Sequence, residues 1–208
     1  MLFRSSPLGV FDHVMFEEVL HQIKKLDEQN KSFVTVLLTS TNHGPWVLPD
    51  SLPFVSLPVS SNSKYYNTFK YTDWAIGKFV ENVKQLSCSG RTIILITGDH
   101  GSVMFTSGKN IGIPYSYIHI PLIIYGTHHP LILAGERIST LGSQIDIGAT
   151  ILDLLGIEFE NSTLGTSLFQ KQPSNAAVPV VFHDDLGLFF QSDFMYLSRE
   201  RSPRSEEH

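Results

Sequence analysis

The chain has 208 residues, 42% hydrophobic and 17% charged, a balance that supports one packed core and excludes a disordered polypeptide. Fifteen basic against twenty acidic side chains give a net charge of -5, which disfavours a nucleic-acid binder that works by neutralising phosphates. The single cysteine, Cys88, excludes an internal disulfide and a cysteine-based zinc cluster.

Met1 to Phe16 lacks the apolar core of a signal peptide, so the sequence predicts no export address in this chain. No apolar run reaches the roughly 18 to 20 residues of a membrane span. The greasiest window, Ile118 to Tyr125, is interrupted by His119 and Pro121 and has the length of a strand. Asp12 is placed to N-cap a helix whose apolar positions (Met15, Phe16, Val19, Leu20, Ile23, Leu26) recur at helical spacing and stop near Gln29-Asn30. Phe33 to Leu38 is a continuous apolar, β-branched run, which predicts a strand covered on both faces. Ser40 to Lys64 holds four prolines and many serines and reads as a long functional loop.

Helical periodicity returns from Tyr65 to Leu86, and Thr92 to Ile96 is a second buried-type strand. Gly98-Asp99-His100-Gly101 follows it at once. Ile120 to Tyr125 predicts a third strand, and Ile132 to Ile138 a short edge strand or hairpin arm. Ser143 is placed to cap a helix running to Leu155, with Gly156 as its stop. Val178 to Phe182 and Phe194 to Leu197 predict further strands, the second able to run antiparallel, before a polar tail over 199–208. Helices alternating with doubly apolar strands predict an α/β fold, a mostly parallel sheet with helices on both faces, in one domain over 1–198.

Ligands bind such sheets at the carboxyl ends of strands. Two polar clusters fall there, Thr39 to Trp46 after the first strand and Thr97 to Gly101 after the second. Parallel neighbouring strands would open both clusters on one side of the sheet. Asp99 and His100 offer a hard oxygen and an imidazole nitrogen, flanked by glycines that allow both side chains to converge on a divalent ion. The same four residues also suit a plain turn in which Asp99 takes an Asx-type bond and His100 is solvated. His43 is placed to donate to an anionic oxygen or act as general acid, or else is a loop histidine beside a Pro-Trp turn. Lys109 reads as a phosphate or sulfate contact or a solvated lysine. His119 reads as a core or rim residue, and His128 and His129 as turn residues. Asp146, in the first turn of its helix, is explained by the helix dipole.

Leu38-Thr39-Ser40-Thr41-Asn42-His43-Gly44-Pro45 resembles the T-x-S-N-H-x-P segment of the sulfatase-like phosphoglycerol transferases, the lipoteichoic acid synthase type of the alkaline phosphatase superfamily. Tyr66 to Phe79 resembles their Y-x-D-x-x-I-G-x-F helix, and Thr92 to Gly101 their metal-binding T-x-x-x-x-T-G-D-H-G segment. Ile120 to Gly126, Ser143 to Ile157 and Leu164 to Phe169 are similar to the landmarks that follow, in the same order.

The resemblance implies an alkaline-phosphatase-like fold and displacement at phosphorus or sulfur by a Thr or Ser nucleophile activated by a divalent metal, manganese or zinc. Asp99 and His100 are the implied metal ligands, and Asn42 and His43 the implied substrate-binding residues. In the family the nucleophile and another acidic ligand lie upstream of the segment with which this chain begins. The resemblance therefore implies a missing N-terminal part and no catalytic nucleophile here; Thr39, Ser40, Thr41 and Thr97 have no such role in the pattern. The implied substrate is a phosphate or sulfate ester. Phosphoglycerol or phosphoethanolamine transfer to an envelope lipid or glycan is favoured by the Asn42-His43 and Gly98-to-Gly101 forms. The implied parent protein is membrane-anchored with its catalytic domain outside the cytoplasmic membrane. The alternatives are a non-catalytic remnant that binds a metal, anion or partner, and then a plain α/β domain.

Overall fold

The computed structural model describes residues 5–6, 9–51, 63–102, 115–126, 129–171, 176–182, 185–190 and 193–197. The chain divides into two units, Met1–Thr92 and Ile93–His208.

In the first unit a two-residue hairpin, β1 (Ser5–Ser6) against β2 (Gly9–Val10), leads into α1 (Asp12–Glu28). Phe16, Leu20 and Ile23 make the buried stripe of α1 at spacings of four and three. The matching stripe of α2 (Ser63–Lys84) is Tyr71, Ala75, Phe79 and Val83, each four apart. Phe16 stacks on Phe79 with ring centroids 4.8 Å apart, joining the two helices. Burying each such large apolar side chain stabilises the unit by about 1.5 to 3 kcal/mol. Asn30, at φ 52°, ends α1 in the left-handed conformation asparagine tolerates. A 3-10 turn at Ser89–Arg91 follows α2. Asp27 near the end of α1 accepts from Ser87 and Arg91, and these bonds, the Ser87 hydroxyl first, hold its carboxyl below the usual carboxylate range.

Two predictions for this unit are corrected. Asp12 is not the N-cap; Phe11 is, without a side-chain cap bond, and Asp12 is the first helical residue. Phe33 to Leu38 has no strand assignment, and Val34, Val36 and Leu38 are 75%, 91% and 77% exposed. A strand exists only with a ladder partner, and none pairs with this run among the described residues.

In the second unit β3 (Ile93–Thr97) pairs with β4 (Leu122–Gly126), Leu95 facing Ile124. The described part of their connection carries the single-turn helix α3 (Tyr115–Ile118). Helix α4 (Asp146–Leu154) is stopped by Gly156 at φ 64°, as predicted. Its N-cap is Ile145 rather than Ser143; Asp146 reaches back to the Ser143 amide at 2.7 Å. A meander of β5 (Ala177–Phe182), β6 (Asp185–Phe190) and β7 (Asp193–Leu197) closes the chain, with Phe189 and Phe194 paired across β6 and β7 at 4.4 Å. Residues 132–138 form no strand; bonds from Ile132 to the His129 carbonyl and from Glu136 to the Leu133 carbonyl make two successive turns.

The α/β class holds, but the expectation of mostly parallel pairing does not hold for the described ladders. All of them are antiparallel. Parallel neighbours need a crossover of a dozen or more residues, and only two residues separate β5 from β6 and β6 from β7, which leaves antiparallel pairing as the sole possibility there. Among the described residues no helix is long and apolar enough to cross a membrane.

Candidate functional site

Asn42 and His43 lie in the loop between α1 and α2, in the first unit. The buried Asp12 carboxylate, 1% exposed, organises the residues just before them. Its Oδ1 accepts from the backbone amides of Ser40 at 3.0 Å and Thr41 at 3.2 Å, and its Oδ2 from the Thr72 hydroxyl at 3.0 Å. In return the Asp12 amide donates to Thr41 Oγ1 at 3.4 Å. Two helices and the loop thus share one carboxylate. Thr68, fully buried on α2, places its hydroxyl 3.0 Å from Asn42 Oδ1 and 2.8 Å from the Tyr65 carbonyl, sharing one proton between them.

Beside this knot the buried Tyr71 hydroxyl accepts from the His13 amide at 3.2 Å and lies 2.5 Å from His13 Nδ1. Burial is the main reason the Tyr71 hydroxyl is pushed up to about 12, so it stays protonated and donates to Nδ1.

The His43 ring is exposed, and its Nδ1 lies 2.8 Å from the Gly44 carbonyl. A carbonyl only accepts, so the proton sits on Nδ1 and Nε2 is the basic nitrogen of the neutral ring. The Trp46 amide closes the turn on the His43 carbonyl at 2.9 Å.

In the second unit Asp99 and His100 follow β3 after the single residue Gly98, with side chains 73% and 55% exposed. Asp99 Oδ1 accepts from the His100 amide at 2.8 Å, the bond that the turn reading requires. Asp99 Oδ2 remains 3.8 Å from His100 Nε2. Two donors held about 2 Å from one ion lie no more than about 4 Å apart, so this spacing suits a shared divalent cation. His100 Nδ1 donates to the Gly101 carbonyl at 2.6 Å, which again leaves Nε2 as the basic nitrogen. The ring stacks on Tyr117 at 4.9 Å. No cluster of three or more metal-type side chains occurs among the described residues, so Asp99 and His100 make a donor pair rather than a complete catalytic zinc set.

The backbone of this loop is tied from two sides. The Gly101 amide donates to the Tyr117 carbonyl at 2.7 Å, and a Cβ at Gly101 would lie 1.9 Å from the Ser116 carbonyl oxygen. Only glycine permits this approach. Gln144 Nε2 donates to the carbonyls of Gly98 at 3.0 Å and Asp99 at 2.7 Å. Sequence reasoning gives Gln144 no role, because a side chain acting on backbone carbonyls leaves no spacing signal. A cleft of about 1350 Å³ opens at Asp99 and His100, with Tyr117 and Gln144 near the pair and Leu168 and Phe189 among its apolar lining.

The other candidates have structural roles or lie outside the described residues. Lys109 and His128 are among the latter. His119 is exposed and stacks on Tyr115 at 4.8 Å. His129 is a fastener: Nδ1 accepts from the Leu131 amide at 3.2 Å and Nε2 donates to the Leu154 carbonyl, at the end of α4, at 2.7 Å. Asp146 is more than a dipole partner, because it is buried and its Oδ1 accepts from the Thr166 amide at 2.8 Å.

The family model described as Sulfatase matches residues 3–157. Lipoteichoic acid synthase 1 of Bacillus subtilis (strain 168) is 26% identical over 209 aligned residues, covering 90% of this chain and 29% of that protein. Arylsulfatase K of Bos taurus is 31% identical over 106 residues, which is 50% of this chain and 19% of that protein. The chain thus spans under a third of the length of these relatives. Among solved structures, a protein in the alkaline phosphatase superfamily from Vibrio parahaemolyticus superposes with a TM-score of 0.79 at 23% identity, covering 94% of this chain and 46% of its own. Ps i-CgsB in complex with k-i-k-neocarrahexaose gives 0.71 at 17% identity over 91% of this chain and 48% of its own. The matched segment runs from the hairpin before α1 to the end of α4 and takes in both candidate loops, and on that match the chain belongs to the Sulfatase family.

Proposed function

We propose that this chain is the C-terminal portion of a metal-dependent phosphoglycerol or phosphoethanolamine transferase, acting on a phosphodiester through a Thr or Ser nucleophile outside these 208 residues. Its two units are then parts of one catalytic domain over 1–198, a reading supported by a family match that runs across the boundary after Thr92. The observation that carries the reading is the pairing of Asp99 Oδ2 with His100 Nε2 at 3.8 Å, both exposed at a cleft. These two side chains hold the divalent ion, manganese or zinc. When bound, that ion supplies positive charge against the anionic ester oxygens.

The chain's own residues do the rest. The bond from His100 Nδ1 to Gly101 fixes the tautomer in which Nε2 is the donor atom. His43 is held by Gly44 in the same tautomer, so in its protonated form Nε2–H donates to a substrate oxygen. Asn42, steadied by Thr68, adds a polar contact beside it. The likeness to lipoteichoic acid synthases over most of the chain favours a phosphodiester of the cell envelope, lipid or glycan, over a sulfate ester. The same likeness supports a membrane-anchored parent with this domain outside the cytoplasmic membrane.

The test is ester cleavage by the longer protein that contains this chain, with bis(p-nitrophenyl) phosphate and p-nitrophenyl sulfate as probes. Cleavage of the phosphodiester should require added metal and fall at least about a hundredfold in Asp99→Ala and in His100→Ala. Full activity in either variant, or faster cleavage of the sulfate, contradicts the proposal.

A further inference from the structure

We infer that Asp12 is a positioning residue for the Asn42–His43 loop, acting from the start of α1 through the backbone of Ser40 and Thr41. The inference rests on the reading of His43 as an anion-facing residue. Asp12 is 1% exposed, yet among the described residues no cationic side chain is bonded to it. A buried carboxylate is costly unless its lone pairs are satisfied. Here two consecutive loop amides converge on Oδ1 and the Thr72 hydroxyl takes Oδ2. The first turn of α1 adds the favourable end of the helix dipole.

Two amides aimed at one oxygen fix the orientation of both peptide planes. Those planes lead directly into Asn42, whose side-chain Oδ1 accepts from the Thr68 hydroxyl, and then into His43. Thr41, also 1% exposed, closes the knot by accepting from the Asp12 amide. Asp12 touches no candidate ligand position itself. Its effect on anion binding passes through a loop whose last residue it does not contact.

The experiment is a titration of the full chain with inorganic phosphate, followed by the His43 ring Cε1–H signal in nuclear magnetic resonance. Asp12→Ala should weaken phosphate binding about tenfold, a loss of the size expected when two ordering bonds vanish. Asp12→Asn keeps an Oδ1 acceptor for both amides and should stay within about threefold of the parent chain. The His129 ring signal should not move in either variant, which separates loop positioning from general unfolding. If Asp12→Ala does not fold, Thr72→Val removes only the Oδ2 partner and should weaken phosphate about threefold. Parent-like affinity in folded Asp12→Ala, or equal loss in Asp12→Asn, overturns the inference. If phosphate leaves His43 unmoved in the parent chain, the anion-binding reading fails by itself. Positioning is then judged on hydrogen exchange at the Ser40 and Thr41 amides. Protection lost in Asp12→Ala and kept in Asp12→Asn supports it, and equal protection in all three chains overturns it.

Discussion

The two candidate loops are anchored by opposite means. Before Asn42 and His43 the chain hangs from a side chain, the buried Asp12, whose lone pairs are spent on holding it. At Asp99 and His100 a neutral side chain grips the backbone instead, Gln144 donating to two carbonyls, and Gly101 is tied backbone to backbone to Tyr117. The difference teaches what each loop has left to offer. Anchoring by Gln144 and Gly101 leaves Asp99 Oδ2 and His100 Nε2 facing each other at 3.8 Å, so both donors of the proposed ion site stay available. Anchoring by Asp12 spends a carboxylate, at a site where the proposed ligand is an anion and a further exposed negative charge would repel it.

The comparison breaks most sharply at Gly101. Gly101→Ala sets a methyl 1.9 Å from the Ser116 carbonyl, so the backbone must move; we expect a loss of about 3 kcal/mol in the second unit. Hydrogen exchange should then speed up at the Gly101 amide, which loses its bond to the Tyr117 carbonyl, and stay unchanged at the Ser40 and Thr41 amides held by Asp12. Equal acceleration at all three amides would contradict the separate anchoring of the two loops.

A smaller effect is expected at Tyr71. Tyr71→Phe removes the hydroxyl that meets both His13 Nδ1 and the His13 amide, costing about 1 kcal/mol, seen as an earlier tryptophan transition. The pH dependence sharpens this. The folded first unit holds the Tyr71 proton to about 12, against an ordinary 10.0, so it binds that proton more tightly than the unfolded chain. The stabilisation is complete below pH 10 and lost as pH rises from 10 towards 12. Tyr71→Phe should flatten that alkaline decline, and an unchanged slope would refute the assignment. Smallest of all is Gln144→Ala, about 0.5 kcal/mol at an exposed position, with faster hydrogen exchange expected at the neighbouring loop amides.

Long periodic segments were readable from the residues alone: α1 through its Phe16-Leu20-Ile23 stripe, α2 through the recurrence of Tyr65, Phe69, Ile76, Phe79 and Val83, of which the helix buries Phe79 and Val83, and α4 through its glycine stop. The candidate pair Asp99-His100 was readable because its residues are adjacent and flanked by glycines. Asp12 was read as a helix cap because its position fits one. Its real partners lie 28 to 60 residues away, where local spacing carries no information. The run from Phe33 to Leu38 shows the reverse failure. Its composition states a preference for pairing, but a strand is a property of two segments, and no partner is found for this one among the described residues. Strand β6 was missed because Asp185, Gly187 and the preceding Asp184 read as turn chemistry.

The most direct measurement of the central claim is the nitrogen chemical shifts of the His100 ring as zinc is added to the full chain. The account predicts that Nε2 moves on binding while Nδ1 keeps its proton on the Gly101 carbonyl, and that Asp99→Ala abolishes the Nε2 shift at the same zinc concentration. A His100 ring that does not respond to zinc, or responds equally in Asp99→Ala, would contradict the pairing of these two side chains on one ion.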